Sequence, residues 1–143
     1  MCVEKFIETF LKQAGEDFDA IDIKQYSPLT LAYLGDSVYD FLIKFYIVQQ
    51  GNRSVNELHA LTKKYVKASE QAKILNHIMP SLSQEEQRIV KWGRNAKSQS
   101  VPKHATRSDY QMATAFECLL GYLAMTKNYQ RLLECVVKGI KHE

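Results

Sequence analysis

The chain has 143 residues, 45% of them hydrophobic and 24% charged. That is the composition of one globular domain with a core of its own, and it excludes a disordered chain. Nineteen Lys and Arg against sixteen Asp and Glu leave a net charge of +3, too mild by itself to name a nucleic-acid partner.

Val3, Phe6, Ile7, Phe10 and Leu11 recur at helical spacing and predict a first short helix stopped by Gly15. Ser27-Pro28 is an N-cap followed by proline at the first helical position. From there Leu31, Leu34, Val38, Phe41, Leu42, Phe45 and Val48 mark a helix closed by Gly51. It is the longest and the most apolar all round, and is expected at the centre of the fold. Ser54 with Glu57, Ser83 with Glu86 and Ser108 with Gln111 have capping-box spacing. They predict helices near 54–66, 84–92 and 109–126, with another over about 69–78 ending before Pro80. A last helix spans about 129–141, with Leu132, Leu133, Val136, Val137 and Ile140 inward. No segment alternates with period two, so the expected fold is all-α, one domain over 1–143.

Several function classes drop out. Cys2, Cys118 and Cys135 form no CxxC pair, so neither a disulfide framework nor a thiolate zinc site is indicated, and the latter two are expected to be inert core thiols. His59, His77, His104 and His142 lack ligand spacing. No GxxxxGK[ST] or GxGxxG occurs, which argues against a nucleotide cofactor. No apolar run approaches a membrane span, and Glu4 and Glu8 stand where a signal peptide needs basic then apolar residues. A soluble, cytoplasmic protein is expected.

Residues 87–108 stand apart. They hold Arg88, Lys91, Arg94, Lys97, Lys103 and Arg107 and no acidic residue. From Gly93 to Arg107 the apolar periodicity is lost, which predicts a long exposed loop, and such loops in small domains usually carry function. Phosphate binding by this segment is expected, through Arg94, Lys97, Lys103 and Arg107, with Arg88 and Lys91 on the helix feeding it.

Two carboxylates lie inside apolar helices. Asp36 follows Gly35 in LAYLGDSVYDFLIKFY, and Glu117 precedes Gly121 by one turn in ATAFECLLGYLAM. A carboxylate in such a setting needs solvent, a partner or a cation. A helical glycine costs roughly 1 kcal/mol relative to alanine, which points to close approach of another backbone. Two helices crossing at these glycines would bring Asp36 and Glu117 together. Converging carboxylates repel unless a cation lies between them, and hard oxygen donors favour Mg²⁺ or Mn²⁺.

LAYLGDSVYDFLIK resembles the signature helix of ribonuclease III catalytic domains, and TAFECLLGYL their second acidic helix. With WGRNAKS, the likeness extends over essentially the whole chain to the Mini-ribonuclease III family, the short bacterial form without a separate double-stranded-RNA-binding domain. The resemblance implies a homodimeric, Mg²⁺-dependent endonuclease of double-stranded RNA. It also implies maturation of the large-subunit (23S) ribosomal RNA precursor. Carried over by position, Asp36 and Glu117 are catalytic and hold the metal, with Asp40 or Asp109 contributing through water. Leu29, Tyr33 and Tyr39 are expected at the dimer interface, and an accessory ribosomal protein is a further partner. The chain departs from full-length relatives at Leu29, Ala32 and Thr114, where they carry acids. Those losses favour, as an alternative, a non-catalytic RNA-binding or ribosome-assembly module.

Overall fold

Apolar spacing and side-chain caps together set seven helices in the computed structural model, which describes residues 2–19, 21–96, 103 and 105–142. They are α1 (Cys2–Gln13), α2 (Pro28–Gln49), α3 (Val55–Val66), α4 (Ala68–Ile78), α5 (Gln84–Arg94), α6 (Arg107–Met125) and α7 (Tyr129–Ile140). Short 3₁₀ turns cover Ile23–Gln25 and Met79–Ser81, and the described residues include no strand.

The expected caps at Ser27, Ser54 and Ser83 are all made, each hydroxyl accepting from the backbone N–H three residues on. At Ser83 the capping box is complete, because the Glu86 carboxylate accepts the Ser83 N–H at 2.8 Å. The cap of α6 is Thr106 rather than Ser108: its Oγ1 accepts the Asp109 N–H at 3.0 Å. This starts the helix early enough to include Arg107. At the other end of the basic segment α5 runs on through Gly93 to Arg94, so the expected loop is shorter at both ends. A single residue, Lys67, ends α3 and begins α4.

The central element is α6, not α2. It packs against α2, α4, α5 and α7, and its residues from Ala113 to Gly121 are buried except for Glu117. Only one face of α2 is covered, and it matches the expected apolar pattern only in part: Leu31 is buried and Val38 and Leu42 pack against the core. Leu31, Ala32, Gly35, Tyr39, Ile43 and Ile47 face the core, while Phe41, Phe45 and Val48 are exposed. A helix apolar on every side gives no clue to which stripe is inward. On α7, Leu132, Cys135 and Val136 are buried, but Val137 faces outward.

Between α5 and α7 the Arg131 guanidinium makes a forked contact with the Glu86 carboxylate, 2.8 and 2.9 Å, and donates to the Ser81 carbonyl at 3.0 Å. Near the amino end Phe18 is buried beneath the Lys127 ammonium, 4.1 Å from its ring centre, and Lys127 also pairs with Asp19.

Candidate active site

The site depends on how closely α2 and α6 approach. A Cβ built on Gly35 would lie 1.8 Å from the Glu117 carbonyl oxygen, and one on Gly121 would lie 1.8 Å from the Leu31 carbonyl oxygen. No real contact is that short, so both glycines are obligatory for this crossing. The two helices meet backbone to backbone, reciprocally, and Asp36 and Glu117 are carried to the same place.

Asp36 is exposed and Glu117 is half-buried. Burial pushes the Glu117 carboxyl up to about 8, and the negative charge and hydrogen bond of Asp36 act in the same direction. At neutral pH without a cation the protonated form of Glu117 is therefore favoured. From α4, the Gln71 Nε2 donates to Glu117 Oε2 at 3.4 Å and opposes that rise. Sequence reasoning missed Gln71. Its one signal was a polar residue on the stripe that continues through Ile74, Leu75 and Ile78.

Tyr39 lies under the same crossing. It is 0% exposed, stacks edge-on against Phe116, and donates its hydroxyl proton to the Tyr65 carbonyl at 2.9 Å. Expected at a dimer interface, it is instead core of one chain and offers a second copy no surface. Leu29 and Tyr33 do lie on the surface, Tyr33 at 80% exposure.

The donor set fits a hard divalent cation: two carboxylate groups, one with its proton held against repulsion, beside a buried amide whose Oε1 has no partner. Asp36 and Glu117 are the residues that could hold it. Among the described residues no cluster of three or more His, Cys, Asp or Glu is placed to bind a metal. Asp40 and Asp109 therefore do not join the pair directly. Asp40 is drawn to Lys44, 3.0 Å away, and Asp109 sits in the first turn of α6, where a carboxylate favours the helix dipole.

Arg88, Lys91 and Arg94 share one face of α5 and, with Met79, Gln84, Gln87 and Val90, line an open groove of about 510 Å³. Gly93 seats the end of this helix against α6, where an added Cβ would lie 2.7 Å from the Cys118 Cβ and 3.1 Å from the Ala115 Cα. Cys118 is the sequence neighbour of Glu117, so the carboxy-terminal end of α5 packs on the turn of α6 that carries this acid. Arg107 is exposed at the first turn of α6 and Lys103 is exposed before it. Lys97 lies outside the described residues.

Crossed acidic helices in an all-α fold are matched by a family model described as Ribonuclease III domain, over residues 29–128, which span α2 through α6. Fold and site define an endoribonuclease of that class. The Mini-ribonuclease 3 of Symbiobacterium thermophilum is 45% identical over 107 residues, covering 75% of this chain and 82% of its own. That of Clostridium tetani is 43% identical over 121 residues, covering 84% and 80%. A crystal structure of a protein from Fusobacterium nucleatum superposes with a TM-score of 0.76 at 31% identity, over 85% of this chain and 98% of that one. The chain belongs to the Mini-ribonuclease 3 family. No helix among the described residues is long and apolar enough to cross a membrane.

Proposed function

We propose that the chain is a single catalytic domain that acts in the cytoplasm as a homodimer, hydrolysing phosphodiester bonds of double-stranded RNA with Mg²⁺ or Mn²⁺. The substrate in this reading is the 23S ribosomal RNA precursor. The observation that carries it is the meeting of Asp36 and Glu117 at the glycine crossing, with the Glu117 carboxyl pushed up to about 8.

Bound at this pair, the divalent ion supplies Lewis acidity toward the phosphate and a lowered pKa for water. Asp36 and Glu117 would hold it, and the Glu117 carboxyl would have to give up its proton to do so. The side chains nearby offer no rival nucleophile. Burial pushes the Cys118 thiol up to about 12 and the Cys135 thiol up to about 11, so neither supplies a thiolate at neutral pH. The Tyr39 phenol is likewise raised by burial and is spent on the Tyr65 carbonyl. Water is left as the attacking group; with the bond from phosphorus to the 3′-oxygen broken, the products carry a 5′-phosphate and a 3′-hydroxyl.

Duplex RNA hides its bases in a deep, narrow groove, so recognition rests on shape, phosphates and 2′-hydroxyls. Arg88, Lys91 and Arg94 supply a row of phosphate contacts along α5, with Lys103 and Arg107 as further basic residues and Lys97 between Arg94 and Lys103 in the sequence. The outward face of α2, with Leu29 and Tyr33, is the surface for the second copy, which sets two sites on one duplex.

The deciding experiment is cleavage of a duplex RNA with and without Mg²⁺, using single-stranded RNA as the control. Mg²⁺-dependent duplex cutting with 5′-phosphate products is expected. Binding without cleavage at any Mg²⁺ concentration would return the chain to the non-catalytic reading.

A further inference from the structure

Gln71 is 3% exposed, on the face of α4 that also buries Ala72, Ile74, Leu75 and Ile78. An amide in such a place is costly unless its atoms are satisfied. Its Nε2 donates to the Val66 carbonyl at 2.8 Å and to Glu117 Oε2 at 3.4 Å. The Val66 carbonyl can only accept, so the NH₂ group must face it and the amide cannot be turned over. That orientation leaves Oε1 buried with no partner, an unmet acceptor that is costly to keep. The same amide touches Glu117, so this acceptor lies beside the carboxylate that holds the cation in the reading above.

Other buried polar groups around the crossing are committed. Tyr39 donates to the Tyr65 carbonyl, and Thr114, one turn before Glu117, donates to the Tyr110 carbonyl at 3.0 Å. Mg²⁺ bound through one or two carboxylates keeps several waters, and each water needs an acceptor for its protons. A third carboxylate at this depth would add to the repulsion between Asp36 and Glu117, whereas a neutral amide oxygen accepts without charge.

We propose that Gln71 is a positioning residue of the cleavage site: Nε2 fixes the Glu117 carboxylate, and Oε1 accepts from a water held by the bound cation. The inference rests on Asp36 and Glu117 being the metal pair. It accounts for how two carboxylates suffice where Leu29, Ala32 and Thr114 bring no further acid.

The test compares wild type, Gln71→Met and Gln71→Glu, all full chains, by calorimetric titration of RNA-free protein with Mg²⁺ and by melting with and without Mg²⁺. Duplex cleavage is then followed against Mg²⁺ and against RNA. Gln71→Met keeps the volume and loses both hydrogen bonds. Its Mg²⁺ Kd and half-saturating Mg²⁺ should rise about tenfold, the usual loss for a partner one hydrogen bond from the metal, with KM for RNA unchanged. Gln71→Glu keeps an acceptor oxygen, loses the Nε2 donor to Val66 and Glu117, and adds a charge that attracts the cation directly. It should bind Mg²⁺ at least as tightly as wild type, melt lower without Mg²⁺ and show the larger Mg²⁺-induced rise in Tm.

Unaltered Mg²⁺ affinity in Gln71→Met, or Gln71→Glu binding Mg²⁺ more weakly than wild type, would overturn the assignment. If Gln71→Met does not fold, Gln71→Glu against wild type decides it. Wild type that binds no Mg²⁺ and an Asp36→Asn variant that still cleaves would instead overturn the metal reading itself, and Gln71's role with it.

Discussion

Gly35 and Glu117 touch through their backbones: a side-chain carbon on the glycine would sit 1.8 Å from the glutamate's carbonyl oxygen. The acid on one helix and the gap on the other are thus a single feature, repeated in reverse by Gly121 and Leu31. Gly35→Ala and Gly121→Ala should each force the helices apart, because the obstructing atom is backbone and has no rotamer to yield. Overpacking usually costs about 1–3 kcal/mol, and these sites should lie at or above that range. Urea unfolding measures the loss, and cleavage should fail even in whatever fraction stays folded.

Removing the metal exposes a pH dependence whose sign follows from burial. The Glu117 carboxyl ionises near its ordinary value of 4.5 when unfolded and near 8 when folded. Between those values the unfolded chain binds fewer protons, so stability falls as pH rises. The contribution is full below the unfolded value and gone above about 8. In chelator, urea midpoints should fall from about pH 5 to about pH 8.5, and Glu117→Gln should flatten that slope.

Asp36→Asn and Glu117→Gln are nearly isosteric. Each should abolish cleavage while leaving far-ultraviolet circular dichroism and RNA binding intact. The double variant should be little worse than either single one, since groups that act as a unit are strongly non-additive. Mg²⁺ should raise the Tm of wild type alone. Near-normal cleavage by Asp36→Asn would remove the catalytic assignment.

The row on α5 predicts a salt signature. Replacing Arg88, Lys91 and Arg94 with alanine should weaken duplex RNA binding and flatten its salt dependence by about one slope unit per lost phosphate contact. An unchanged slope would place the RNA elsewhere.

For the second copy, Tyr33→Arg puts a charge on the exposed face of α2 without touching the core. Sedimentation should show the variant shifted toward monomer. A wild type that is monomeric at micromolar concentration and fully active would dismiss the dimer.

What the sequence made legible follows from cost. Gly35 and Gly121 in helix interiors, and Asp36 and Glu117 among leucines, are each unfavourable locally, so their presence alone signalled a close crossing. The caps at Ser27, Ser54 and Ser83 were readable for the opposite reason, being the favoured choice at a helix start. Three things were not. The inward stripe of α2 was ambiguous because Phe41, Phe45 and Val48 are as apolar as Ile43 and Ile47. Tyr39 reads as interface because α2 carries more apolar side chains than a small core needs, and its partner, the Tyr65 carbonyl, lies on another helix. Gln71 reads as an ordinary helical polar residue until tertiary packing shows where its amide ends.

The crossing of α2 and α6 also sets when activity begins. Asp36 precedes Glu117 by about 80 residues, and at about 5–20 residues per second the ribosome adds that length in about 4 to 16 s. Throughout that interval the nascent chain carries Asp36 without Glu117, so under the proposed function it could not yet cut the RNA of the machine making it. Over the same seconds Leu31, Tyr39, Ile43 and Ile47 await the helix that covers them. The last quarter of the chain, α6 and α7, therefore completes the core and brings Glu117 to Asp36 in one step.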